Sequence, residues 1–365
     1  MNSNGVEAFT PSRLVLARER RGMTQRELAD AIHVSDRMIK SYEAGGYNPT
    51  PETLSDLARI LSFPVAFFQA PELEPLTLEG ASFRAVTKAS ATLRKRTLAA
   101  GSLALDLHTY LSKNFDLPPS DLPDLRTQSP ARAADTVRRQ WGLGEKPIGN
   151  VVHLIEKHGV RVFSLAEDCT EIDAFSFWRD GVPFVFLNTR KTAERSIFDA
   201  SHELGHLVLH RHGSPQGQDA ENEADAFASN FLLPESAIRA SAPRLATIST
   251  LATMKRTWRA SVAALGYRLH ELGMMSDWHY RRFNIELSRR GRANEPAPLP
   301  RETSAVLRKA IEALEEDSVG LREIAKEVAL PVAELRSLTF GLGVLEGGQA
   351  GSSTPRRGSL RLVTE

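Results

Sequence analysis

RSIFDASHELGHLVLHRHG, Arg195 to Gly213, places His202, Glu203 and His206 in the order H-E-x-x-H. Ile197, Phe198, Ser201, Leu204, Gly205, Val208 and Leu209 recur at helical spacing, Glu194 falls in the expected first turn, and Gly213 is a plausible stop. The pattern predicts a buried amphipathic helix. Residues four apart on such a helix lie one turn above each other, so His202 and His206 can offer two imidazoles to one ion. Glu203 then stands beside them. Neutral nitrogen ligands leave a zinc ion strongly Lewis-acidic, water at that ion ionises near neutrality, and an adjacent carboxylate can take the proton. This is the arrangement for hydrolysing a peptide bond. The competing explanation is a helix whose histidines cap a core or face solvent, and a third ligand is what would separate the two.

Working outward, the chain of 365 residues with 41% hydrophobic content can bury sizeable cores and predicts two or three domains. A net charge of +1 excludes a globally polybasic protein, so nucleic-acid contact must come from one module. The lone Cys169 makes no internal disulfide, and its neighbours Glu167, Asp168 and Glu171 disfavour a reactive thiolate. With no signal peptide and no apolar run of spanning length, the expectation is a cytoplasmic protein without a membrane partner.

Pro11 to Phe68 shows short amphipathic helices: Ser12–Arg21 ending at Gly22, a second capped by Thr24 with Glu27 completing a capping box, a third over Asp36–Glu43 capped by Ser35, and a fourth opened by Thr50 and Pro51 through Leu61. Ile39 and Tyr42 should turn inward. Arg13, Arg18, Arg20 and Arg21 concentrate positive charge on the first helix. The stretch GMTQRELADAIHVSDRMIKSYEAGGYNPTPETLSDLARIL resembles the Cro/repressor (Xre) helix-turn-helix family throughout. The resemblance implies a third helix in the major groove of double-stranded operator DNA, with Asp36, Arg37 and Ser41 at base edges, Gln25 at a phosphate and Lys40 at either. Arg37 is the expected guanine reader. His33 stands where the family usually has glycine, and histidine tolerates a left-handed turn better than a branched residue does. Such modules read paired half-sites, so a homodimer is the default expectation.

Residues 70–146 begin with proline-punctuated PELEPLTLEG, continue in a helical run from Lys88 to Phe115, and pass through DLPPSDLPDL to a helix over Ala131–Trp141. The basic run TLRKRTL is read as a solvated helix face. Ile148–His158 predicts a helix, VRVFSL a strand, and IDAFSFW and VPFVFLN a hairpin around Arg179, Asp180 and Gly181. A small antiparallel sheet packed on the H-E-x-x-H helix is the implied core. Val182–Leu187 is the candidate edge strand for receiving a substrate strand, although its apolar run equally fits an ordinary buried strand.

Three sources for a third ligand present themselves. His212 follows His202 by ten residues, but Leu209 occupies the place where glycine would be needed to turn the chain. His210 lies two turns from His202, too far up to converge. That leaves the acidic cluster in ENEADAFASNFLLP, a second helix with Ala220, Ala224, Phe227, Ala228 and Phe231 as its packing face. Glu221 and Glu223 flank that face on opposite sides, and periodicity does not choose between them.

SHELGHLVLH followed by ExEADxFAxxFLLP resembles the ImmA/IrrE family of zinc peptidases, and the similarity runs from about Pro147 to Gly273, including DAFSFW, PFVFLN and WRASVAALGYRL. ASFRAV resembles the connector in proteins that fuse such a domain to an Xre module. The resemblance implies zinc on His202, His206 and Glu223, Glu203 as the catalytic base, and a substrate such as a repressor protein. Asp225 fits a partner that orients a histidine and equally a surface salt bridge. Tyr267, His270, His279 and Tyr280 lie where an oxyanion donor would be sought, though packing or surface roles fit them better.

After a basic helix over Asp277–Arg292 and the linker PAPLPRE, GLREIAKEVALPVAELRSLTFGLG repeats a helix-turn-helix-like pattern, read as a compact helical subdomain for dimerisation. The expected class is α+β, mostly helical: a DNA-binding module over 1–69, a connector over 70–146, a zincin-like domain over 147–285, a helical subdomain over 286–350 and a flexible tail over 351–365. The function implied is a DNA-binding regulator with a zinc-dependent peptidase domain. The alternatives are a regulator whose zinc domain senses a ligand or metal without catalysis, and a first module that docks protein instead of DNA.

Overall fold

The computed structural model describes residues 9–73, 76, 90–165, 172–211, 217–290 and 295–342. Cys169, His212, ASFRAV and the expected tail lie outside the described residues. Helices α1 (Pro11–Arg20), α2 (Gln25–Ala31), α3 (Asp36–Glu43) and α4 (Pro51–Leu61) start where local chemistry says they should. Proline opens α1 and α4, Thr24 and Glu27 close a reciprocal capping box, and Ser35 and Thr50 accept from the backbone three residues on. His33 takes φ 58°, the left-handed turn expected of a glycine position. A long helix α5 (Ala91–Asn114) follows.

Next come α6 (Pro130–Gln140), α7 (Val151–Lys157), strands β1 (Arg161–Leu165), β2 (Ala174–Arg179) and β3 (Val182–Asn188), then α8 (Ala193–Leu209), which carries H-E-x-x-H, and α9 (Gln218–Leu232). Asp180 and Gly181 both adopt positive φ between β2 and β3, the two-residue connection whose twist matches a hairpin. The sheet is mixed, not wholly antiparallel, because β3 pairs antiparallel with β2 and parallel with β1. The order β1-β3-β2 therefore puts Val182–Leu187 in the centre, paired on both sides, and corrects its assignment as an edge. Its uninterrupted apolar run reflects burial on both faces. Phe163, Phe175, Phe177, Phe184 and Phe186 form a stacked aromatic layer across the three strands. Helices α10 (Glu235–Ser241), α11 (Ile248–Trp258), α12 (Val262–Glu271), α13 (Asp277–Arg289), α14 (Ala305–Glu316), α15 (Leu321–Glu327) and α16 (Val332–Leu338) complete the described chain.

Two compact units emerge, dividing the chain near 117/118 and 305/306 instead of at the boundaries expected from chain order. The first gathers α1 to α5 with α14 to α16. Long-range ion pairs show why: Arg13 meets Asp106 of α5 at 2.6 Å, and Glu334 of α16 meets Arg20 at 2.8 Å and Arg21 at 2.5 Å. With Arg18 held by Glu43 at 2.5 Å, the arginines of α1 and the Arg21 that follows it all serve internal contacts. The second unit contains the sheet, α6 to α13 and the segment leading to α14. That segment is fastened by Glu302, which accepts from the Val151 and Val152 amides and from Arg259.

Candidate metal centre

Helices α8 and α9 lie against each other where Gly205 meets Ala224 and Phe227; a β-carbon at Gly205 would stand 3.3 Å from the Ala224 Cα and 3.0 Å from the Phe227 ring. In this close packing one of the two glutamates of α9 faces His202 and His206. Glu221 does: its carboxylate oxygens lie 3.7 Å from His202 Nε2 and 3.6 Å from His206 Nε2. The two imidazole nitrogens are themselves 3.0 Å apart, and the three side chains offer ligand atoms all within 4.8 Å of one another. Two nitrogens bound to a tetrahedral zinc stand about 3.3 Å apart, so this donor set fits the ion after small adjustments.

Glu223 is elsewhere, which corrects its assignment beside the histidines. It is half exposed, and its Oε2 lies 2.8 Å from His210 Nε2. His210 Nδ1 lies 3.0 Å from His206 Nδ1. An ionised carboxylate only accepts, so His210 donates from Nε2 to Glu223 and receives the Nδ1 proton of His206. That chain leaves the His206 Nε2 lone pair turned to Glu221 and His202. Burial first, then the neighbouring His202 and His210, hold His206 well below the usual imidazole range, which keeps it neutral.

His202 is fixed in a parallel way, its Nδ1 sitting 2.9 Å from Asp225 Oδ1. Burial opposes its protonation, but the Asp225 hydrogen bond and the Glu203, Asp225 and Glu221 charges outweigh that and raise its pKa. Glu221 and Asp225, four apart on α9, thus address the two nitrogens of one ring. A carboxylate behind a ligating histidine fixes its tautomer and raises its basicity.

Glu203 is fully enclosed. Its Oε2 accepts from Ser176 Oγ at 2.6 Å, and burial pushes its pKa up to about 7 against the opposing pull of His202 and Ser176. Ser176 belongs to β2 and was not foreseen as a site residue, although it is the polar interruption in the aromatic strand AFSFWR. Among the oxyanion candidates, His270 stacks on Tyr280 and meets Asp277 at 2.7 Å, while Tyr267 is exposed.

In the first unit, Arg37 and Lys40 are exposed on α3, Asp36 and Ser41 are half-buried, and Lys40 pairs with Asp36 at 2.6 Å. Gln25 donates to Glu43 at 2.6 Å, the same carboxylate that holds Arg18. The five side chains therefore sit on or beside the third helix.

Residues 155–270 match the peptidase family described as the IrrE N-terminal-like domain, and residues 14–68 match the helix-turn-helix family. No curated protein matches the chain. The chain joins an Xre-like helix-turn-helix to an ImmA/IrrE-like domain. No helix among the described residues is long and apolar enough to cross a membrane.

Proposed function

We propose that this chain is a DNA-binding regulator whose ImmA/IrrE-like domain is a zinc-dependent peptidase acting on a protein such as a repressor. The observation that carries the proposal is the convergence of His202, His206 and Glu221, with ligand atoms within 4.8 Å, beside a buried carboxylate poised near neutrality. In this proposal Glu221 replaces Glu223 as the third ligand. Bound zinc would supply Lewis acidity, polarising a peptide carbonyl and acidifying water.

The chain's own residues do the rest. Asp225 and the His210–Glu223 pair orient the two imidazoles. Glu203 accepts a proton from water as the water oxygen bonds to the peptide carbonyl carbon, and delivers it to the amine nitrogen as the C–N bond breaks, a role suited to a carboxyl whose pKa lies near the working pH. Ser176 holds that carboxylate in place. Strand β2, which brings Ser176 to Glu203, is an edge of the described sheet, so a substrate strand would add there. In the other unit Arg37, Lys40, Asp36, Ser41 and Gln25 would contact an operator, read by a homodimer.

The test is zinc quantification of the purified protein together with incubation against candidate repressors, comparing wild type with Glu203→Gln. The proposal expects stoichiometric zinc in both and cleavage only in wild type. Equal cleavage by both would refute the assigned base, and zinc without cleavage of any candidate would favour a sensing domain.

A further inference from the structure

We infer that residues 307–341 are a second helix-turn-helix, a repeat of residues 11–45, which the chain uses as an internal partner for the first. The two stretches superpose in sequence at a constant spacing of 296 residues, as Gly45 and Gly341 illustrate. At that spacing α14 falls on α1, α15 spans the same seven positions as α2, and α16 starts where α3 starts. Each left-handed position of residues 11–45 has a left-handed counterpart: Gly22 (φ 67°) with Ser318 (φ 65°), His33 (φ 58°) with Ala329 (φ 51°), and Gly45 (φ 72°) with Gly341 (φ 73°); the second copy adds one at Phe340 (φ 57°), opposite the right-handed Ala44. A left-handed conformation is costly for serine and alanine, so its presence at matching places marks a shared backbone path and not merely three helices in a row.

Side chains agree with the backbone. Arg26-Glu27-Leu28-Ala29 corresponds to Arg322-Glu323-Ile324-Ala325, and Ser41 to Ser337. The core positions are buried in both copies, Leu28 with Ile324, Ile39 with Leu335 and Tyr42 with Leu338.

The third helix is where the copies part. Asp36, Arg37 and Lys40 correspond to Val332, Ala333 and Arg336, and the part-exposed Met38 corresponds to the buried Glu334. Glu334 reaches Arg20 at 2.8 Å and Arg21 at 2.5 Å, at the end of α1 of the first copy. Gln25 corresponds to Leu321, which lines an apolar cavity together with Leu335, Thr339 and the α5 residues Leu107 and Leu111. Residues 305–342 carry seven acids against five bases, the wrong sign for a phosphate surface. The second copy has thus turned its reading helix onto the first module, and the ImmA/IrrE-like domain lies in the chain between two halves of one helix-turn-helix unit.

Hydrogen exchange on the full chain tests this directly. Glu334→Gln should raise exchange of α1 and α2 amides about tenfold or more, because two arginines lose the charge that holds them. Arg21→Lys, a milder change should the first variant not fold, should move the same amides. An exchange increase confined to residues 305–342 would overturn the internal pairing. The salt dependence of binding to a random-sequence 30-base-pair duplex supplies the second arm, which rests on DNA reading by the first copy. Lys40→Ala should reduce the salt slope by about one while Arg336→Ala leaves it unchanged; an equal reduction by Arg336→Ala would make the second copy a DNA reader and refute the inference. Should wild type fail to bind the duplex at all, DNA reading falls, and the exchange result still decides the internal pairing.

Discussion

Asp225 Oδ1 lies 2.9 Å from His202 Nδ1, on the opposite side of the ring from Glu221, which stands one turn earlier on the same helix. One face of α9 therefore presents both the carboxylate that faces the two imidazoles and the carboxylate that aims one of them. Asp225→Asn keeps the shape but weakens the acceptor, and zinc affinity should fall by about 10- to 100-fold. Competition with a chelator measures it, and an unchanged affinity would reduce Asp225 to a surface partner.

The two glutamates of α9 should separate cleanly. If Glu221 is the third ligand, Glu221→Gln should abolish stoichiometric zinc, whereas Glu223→Gln, at a carboxylate that pairs with His210, should cost about tenfold or less in zinc affinity. The reverse ranking in metal content would return Glu223 to the site.

Glu203 gives a pH signature in the metal-free protein. Its folded pKa is raised from 4.5 to about 7 by burial, so the folded state binds its proton more tightly than the unfolded chain does. That contribution to stability is complete below pH 4.5 and lost as pH rises through about 7. Asp199 is raised to about 7 in the same way, so wild type alone does not isolate either group. Glu203→Gln does, because glutamine cannot ionise. The variant should gain on wild type by on the order of 3 kcal/mol at pH 8 and by little at pH 4. Denaturant unfolding at the two pH values checks it, and a pH-independent difference would argue against a strained carboxylate.

Gly205→Ala tests the helix contact that sets the site. An added methyl gains about 1 kcal/mol in helix propensity, but it meets the Ala224 backbone at 3.3 Å and the Phe227 ring at 3.0 Å, neither of which is a flexible tip. Overpacking should win, costing about 1–3 kcal/mol in all and weakening zinc binding by turning Glu221 away. A variant that is more stable and binds zinc normally would show that the helices have room.

His202, His206 and the neighbouring Glu203 were legible in the sequence because their relation is local: four residues on one helix fix two imidazoles on one face regardless of the rest of the fold. The capped helices of the first module, the left-handed His33 and the Asp180-Gly181 hairpin were legible for the same reason, each being set by a few adjacent dihedrals and hydrogen bonds. Ser176 was visible only as a polar interruption in an aromatic strand. Its partner, Glu203, is 27 residues away.

Only tertiary structure decided the rest. Which of Glu221 and Glu223 faces His202 and His206 depends on how far α9 is rotated against α8, and helical periodicity leaves both flanks equally placed; in the packed pair Glu221 faces them and Glu223 faces His210. The central place of β3 depends on which strand pairs with its second edge, and an apolar run reads alike in either position. The burial of Arg13, Arg18 and Arg20 depends on carboxylates brought from Asp106, Glu43 and Glu334, and charge along one helix does not say whether its partner is solvent, DNA or another part of the chain. Sequence determined what neighbours along the backbone can do together, since those geometries are short-range and few. Packing determined which distant groups meet, since that is a property of the whole folded surface.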